Sequence, residues 1–166
     1  MKKIILSLSI LLLITGNVFS AGSSGSDGGG DNTKTKTNYE KAVTHIKVAK
    51  KHEKKGKLEK ANKSYLKAQK LLIKSNNKKP NNADTLNYLG FTTRKLGDFE
   101  NGEKYYLQGL SINPNHKGIN EYLGELYVQT NRIDKANERL EVLKNCNCDE
   151  YKELELIIKT RGTKVY

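Results

Sequence analysis

Ala83 to His116, ADTLNYLGFTTRKLGDFENGEKYYLQGLSINPNH, holds two apolar series at helical spacing: Leu86, Leu89 and Thr93, then Phe99, Gly102, Tyr106 and Gly109, with Gly97 between them. The spacing predicts a helix, a tight turn and a second helix. The block is 34 residues long, and a shift by that length superposes Leu89-Gly90 on Leu123-Gly124, Gly97 on Asn131, Phe99 on Ile133, Gly102 on Ala136 and Tyr106 on Leu140. A shift of 41 back from Gly97 reaches Gly56, flanked in the same order by Val48-Ala49, Leu58, Ala61, Tyr65 and Ala68. One unit therefore occurs three times, the first copy with seven additional residues ahead of Pro80.

These residues resemble the tetratricopeptide repeat family, whose pattern is a large residue, Leu-Gly, an aromatic, Ala, an aromatic, Ala and Pro at fixed offsets. In the middle copy Leu86 stands at the large position, Leu89-Gly90 match the pair, Tyr106 is the aromatic of the second helix and Pro114 closes the unit. Thr93, Gly102 and Gly109 depart from the pattern. The last copy keeps Leu123-Gly124, Tyr127 and Ala136, with Asn120 and Cys148 at the large and Pro positions, and the first copy has His45 and His52 at the first large and aromatic positions. The resemblance implies an all-α fold, a right-handed superhelical stack of three helix-turn-helix repeats, about 42–82, 83–116 and 117–150, closed by a capping helix at 150–160. Small residues at Ala49, Gly90 and Gly124, and at Ala61, Gly102 and Ala136, would let paired helices approach closely. Gly56, Gly97 and Asn131 fall at helix ends, where a left-handed residue closes the turn, and Asp98 follows as an N-cap.

Upstream, Lys2 and Lys3 precede an apolar run from Ile4 to Ile14, and small residues follow, which is the pattern of a signal peptide over 1–20 cut between Ser20 and Ala21. The location expected is periplasmic or secreted. Residues 22–38 carry no apolar side chain and are read, with Ala21, as a disordered linker. Tyr39, Ala42, Val43, Ile46 and Ala49 then start the first repeat, and its seven extra residues are expected in the Asn-rich loop SNNKKPNN rather than in the second helix. At the other end Tyr151, Leu154, Ile157 and Ile158 form the cap, with Asp149 as its N-cap, and 161–166 as a frayed tail.

Charge is uneven along the chain. Overall there are 30 basic and 18 acidic side chains, yet residues 33–79 hold 16 Lys against Glu40, Glu53 and Glu59. Lys50, Lys51, Lys54 and Lys55, with Lys47, place like charges four apart on one helix, an arrangement that an anionic partner would relieve. Export would remove nucleic acid as that partner and leave acidic proteins or an anionic membrane surface. Cys146 and Cys148 are close enough to pair as a clasp on the cap, with a thiol-redox or metal-handling role as the alternative.

No catalytic constellation stands out. His45 and His52 fall on core-type positions, His116 is isolated, Glu121 and Glu125 lie one turn apart on a helix, and there is no phosphate-binding glycine loop. Neither a cofactor nor a metal is expected. The resemblance implies a concave face lined by the first helices, with Ile46, Lys47, Lys50, Asn87, Tyr88, Phe91, Arg94, Glu121, Tyr122 and Glu125 facing a protein or peptide partner. The family's clamp for a free C-terminus needs a Lys and an Arg where Gly118 and Tyr122 stand, so that role is not carried over. An adaptor that binds in the envelope is the leading reading, and an electrostatic surface binder is the third. The mature protein recovered from cells should have a mass lacking residues 1–20; a full-length mass in the membrane fraction would show instead a retained anchor.

Overall fold

The computed structural model describes residues 35–163, and the expected signal peptide and most of the linker lie outside them. Seven helices follow in order: α1 (Asn38–Glu53), α2 (Leu58–Lys78), α3 (Ala83–Lys95), α4 (Phe99–Ile112), α5 (Lys117–Gln129), α6 (Ile133–Leu143) and α7 (Asp149–Lys159). No strand occurs among the described residues, and none of their helices is long and apolar enough to cross a membrane. The helices pack as three hairpins, α1 with α2, α3 with α4 and α5 with α6, each stacked on the next, and α7 lies against α5 and α6.

Each hairpin closes in the same way. Gly56, Gly97 and Asn131 have φ of 67°, 93° and 58°, the left-handed conformation that Gly and Asn adopt at least cost. The residue after each donates its N–H back across the turn, Lys57 to the His52 carbonyl at 2.9 Å, Asp98 to Thr93 at 3.1 Å and Arg132 to Tyr127 at 2.7 Å. Orphan carbonyls at the helix ends are thereby satisfied. The end of α7 repeats the motif, with Arg161 at φ 48° and Gly162 donating to Ile157 at 2.9 Å. Residues 161–163 are therefore hydrogen-bonded helix terminus and not frayed tail.

Helix starts are capped by side chains at Thr37, Asn82, Asp98 and His116. Thr37 makes a full capping box with Glu40, so the ordered domain begins inside the stretch read as linker. His116 accepts the Ile119 N–H through Nδ1 at 3.2 Å, which leaves its Nε2 proton to donate to Asp84 at 3.1 Å and tie α5 to α3. Asp149 is the first residue of α7 and not its cap; Cys148 occupies the cap position without a side-chain hydrogen bond.

Three expectations from the sequence change. The first residues of α2 and α4 face outward, since Leu58 is 61% and Phe99 38% exposed, whereas Ile133 at the start of α6 packs partly buried on the core; the core takes Ala61, Tyr65, Ala68 and Leu72 or Gly102, Tyr106 and Gly109, which lie three, seven and more residues on. The seven extra residues lengthen α2 to 21 residues against 14 in α4, because continuing the helix keeps Leu72 in the core and satisfies the backbone, which an open Asn-rich loop would not. His45 and His52 are half-buried and not core. Among the described residues no helix precedes α1, so its outer side has no neighbour to cover it.

Glycine sets the distance between helices. A Cβ on Gly90 would stand 2.5 Å from the ring of Tyr106, which packs on α3 and is fully buried. Gly102 sits against the backbone of α3, with the Gly90 carbonyl 3.3 Å from where its Cβ would be. Leu154 of α7 fills the equivalent space above Gly124, and Ile119 that above Gly109. Leu154 and Ile157 fall one 34-residue shift after Asn120 and Leu123, so the cap occupies the place of the first helix of a fourth repeat.

A buried ion pair joins the second hairpin to the third. Arg94 on α3, 3% exposed, donates to Glu125 at 2.7 Å and to Gln129 at 2.9 Å, both on α5. Burial disfavours the guanidinium charge, but the Glu125 carboxylate and Tyr106 together offset it and hold the Arg94 pKa above its ordinary value.

Two substitutions test this account by chemical denaturation. Gly90→Ala should destabilise by about 3 kcal/mol, because a fixed ring cannot give way and the helix-propensity gain of about 1 kcal/mol is smaller. Arg94→Met should cost about 3–5 kcal/mol by removing the guanidinium from a buried carboxylate, and Arg94→Met with Glu125→Leu should recover most of it. Equal losses in the single and double variants would show that the site needs the charges themselves.

Candidate partner-binding groove

The first helices of the hairpins, α1, α3 and α5, frame a concave groove of about 700 Å³ whose far wall is α7 and the turn after it. Its lining is Lys50, Glu53 and Lys54 from α1, Phe91 and Lys95 from α3, Tyr122, Glu125 and Gln129 from α5, then Ile157 and Gly162. Residues four apart recur on each helix because one turn brings the same face back.

The floor is aromatic. The Phe91 ring lies 5.7 Å from Tyr65 at 72° and 4.8 Å from Tyr122 at 41°. The Lys50 amine sits over this pair, 4.8 Å from the centre of Phe91 and 5.3 Å from that of Tyr122, and donates to the Tyr122 hydroxyl at 3.1 Å. Desolvation lowers the Lys50 pKa despite the nearby carboxylates Glu121, Glu125 and Glu153, so its charge is held under tension by burial and would gain from an anion placed beside it. Burial, followed by Glu121 and Glu125, pushes the Tyr122 hydroxyl far up and keeps it a proton donor. On the rim Lys95 pairs with Glu53 at 2.6 Å, and the other oxygen of Glu53 accepts from Tyr65 at 2.8 Å.

Of the ten residues expected to face a partner, Lys50, Phe91, Tyr122 and Glu125 line this groove. Ile46 belongs to the core and Lys47 is exposed beside it. Asn87, Phe91, Arg94, Glu121 and Glu125 are all buried, Phe91 at 3% exposure, because α5 closes on α3 and fills the concave side with the protein's own side chains. Tyr88 is half-buried against Tyr39, ring centres 5.9 Å apart, outside the groove. In the basic patch Lys50 and Lys54 line the groove, while Lys51 and Lys55 point to solvent. The sequence reading passed over Glu53, Lys95 and Gln129. Lys95 and Gln129 lie one turn beyond Phe91 and Glu125, so extending the register would have found them; Ile157 depends on where α7 docks.

Cys146 and Cys148 are joined by a disulfide in the connection between α6 and α7 and do not line the groove. Among the described residues no three His, Cys, Asp or Glu side chains converge as metal ligands would. At the positions of the family's carboxylate clamp, Gly118 leaves space that the Asn87 amide fills, 2.9 Å from where a Cβ would stand.

Comparison with known proteins agrees with this architecture. The tetratricopeptide repeat family model matches residues 83–116. No curated protein matches the chain by sequence. Among solved structures, the first such domain of Spaghetti (RPAP3) bound to the HSP90 peptide SRMEEVD is 19% identical, covers 76% of this chain and 98% of its own, and has a TM-score of 0.51. The type III secretion translocator chaperone SycD of Yersinia enterocolitica is 15% identical, covers 82% of this chain and 94% of its own, and has a TM-score of 0.52. At these identities the likeness concerns the fold. Residues 83–116 thus match the tetratricopeptide repeat family, and the described helices share the fold of solved tetratricopeptide repeat domains.

Proposed function

We propose that this chain is an exported, non-catalytic adaptor that holds a protein or peptide segment in the groove between α1, α3, α5 and α7. The observation that carries the reading is the half-buried Tyr122 ring, backed by the buried Phe91, with the desolvated Lys50 amine above it. Aromatic side chains at the centre of a concave surface supply most of the energy of such contacts, and a cation short of water adds selection of the partner. The solved domains of this fold include one bound to a peptide and one that is a chaperone, which supports a binding role. Export rests on the Lys2-Lys3 start and the apolar run after it, and the paired cysteines suit an oxidising compartment.

Photo-crosslinking in intact cells tests the proposal. A photoreactive residue at Lys54 or Gln129, on the groove rim, should trap a discrete partner, whereas one at Lys63 or Ser111, on the outer side, should not. Tyr122→Ala should weaken that capture roughly tenfold or more, as loss of a central aromatic does. Capture from the outer positions alone would remove the groove as the binding site.

A further inference from the structure

The outer face of α2 carries a pattern that the groove does not use. Lys60, Lys63, Lys67, Lys70, Lys74 and Lys78 are all exposed and recur at spacings of three and four. At 3.6 residues per turn they fall within an arc of about 80°, opposite the buried side of Ala61, Tyr65, Ala68 and Leu72, and run for about 27 Å along the helix. Every position in that arc is Lys. Only Glu59 stands on the same helix as an acidic group, and it pairs with Lys63 at 2.7 Å.

A general abundance of lysine in the chain does not produce this, and the repeats supply their own control. The positions equivalent to Lys60, Lys63, Lys67 and Lys70 on α4 are Asn101, Lys104, Gln108 and Ser111, where Lys104 is matched by Glu100 at 2.7 Å. On α6 the next equivalents are Lys135, Glu138 and Val142. The same structural face is neutral or mixed in two hairpins and uniformly cationic in one. Like charges one turn apart oppose helix formation, and the seven-residue extension of α2 adds Lys74 and Lys78 to the row instead of breaking it.

Leu66 and Ile73 border the row on one side, 45% and 41% exposed. A straight cationic ridge edged by apolar side chains complements a surface of phosphate headgroups over hydrocarbon. We propose that the outer face of α2 docks the protein onto an anionic phospholipid bilayer, with the six lysines at the headgroup phosphates and Leu66 and Ile73 at the interface. The groove faces the other side of the stack, so docking leaves it open.

The test is co-sedimentation of the mature protein, residues 21–166, with phosphatidylglycerol vesicles and with phosphatidylcholine vesicles. Binding should be tighter to phosphatidylglycerol and fall as salt is raised. Lys67→Glu with Lys74→Glu should weaken it at least about tenfold, since each lysine near an anionic surface contributes several-fold. Those changes place Glu among lysines one turn away, so helix content by circular dichroism should be preserved. Lys104→Glu with Lys152→Glu makes the same change of net charge elsewhere and should leave binding near that of the parent. Equal losses in both variants would reduce the effect to net charge and overturn the proposal. So would equal binding to the two lipids, or tighter binding of the α2 face to a duplex oligonucleotide than to vesicles.

Discussion

The close approach of α4 to α3 is the constraint from which the rest of this structure follows. It depends on Gly90 having no Cβ, because the Tyr106 ring occupies that space. With the ring packed over Gly90, Gly102 can come within contact of the α3 backbone, and the two helices pack closely. The same exchange of a small residue for a large one recurs where Leu154 covers Gly124 and Ile119 covers Gly109. Interfaces within and between hairpins thus use one device, and for this reason the unit can be repeated and then ended by a lone helix.

That tight stacking decides what the concave side can be. Once α5 is drawn against α3, Arg94 and Glu125 face each other out of water, and the pair is tolerable only because the geometry is good and Gln129 accepts a further hydrogen bond. The network fills the centre of the concave surface with buried polar groups. What remains open is the region between α1 and α7, where Lys50 lies over Phe91 and Tyr122. The α7 helix therefore closes the apolar end of the stack and also forms a wall of the groove through Ile157.

The two sides of the first hairpin differ in chemistry. On the inner side Lys50 is desolvated and tied to Tyr122, and such a charge selects a partner. On the outer side the α2 lysines are exposed to solvent and their charges sum into one field. The two proposed roles, a ligand in the groove and a bilayer at α2, fall on opposite faces of one helical layer and do not compete.

Much of this was legible in the residues. The three turn positions, the Asp98 cap, the small residues that permit close packing and the closing role of the last helix follow from spacing and from the few conformations that Gly, Asn and Asp favour. The family resemblance also implied that α1, α3 and α5 are the helices facing inward. It left undecided how far each side chain on that face stays open, since burial is fixed by the neighbouring hairpin and not by the helix that carries the residue. Phe91, Arg94 and Glu125 were expected to face a partner, yet they are covered once α5 closes on α3. The extension of α2 was equally hidden, because Asn and Lys suit a loop as well as a solvated helix, and only the burial of Leu72 and the continuity of the backbone hydrogen bonds decide between them. Local chemistry in the sequence set the repeat and its turns, whereas the packing of one hairpin on the next determined which groups remain exposed to bind a partner.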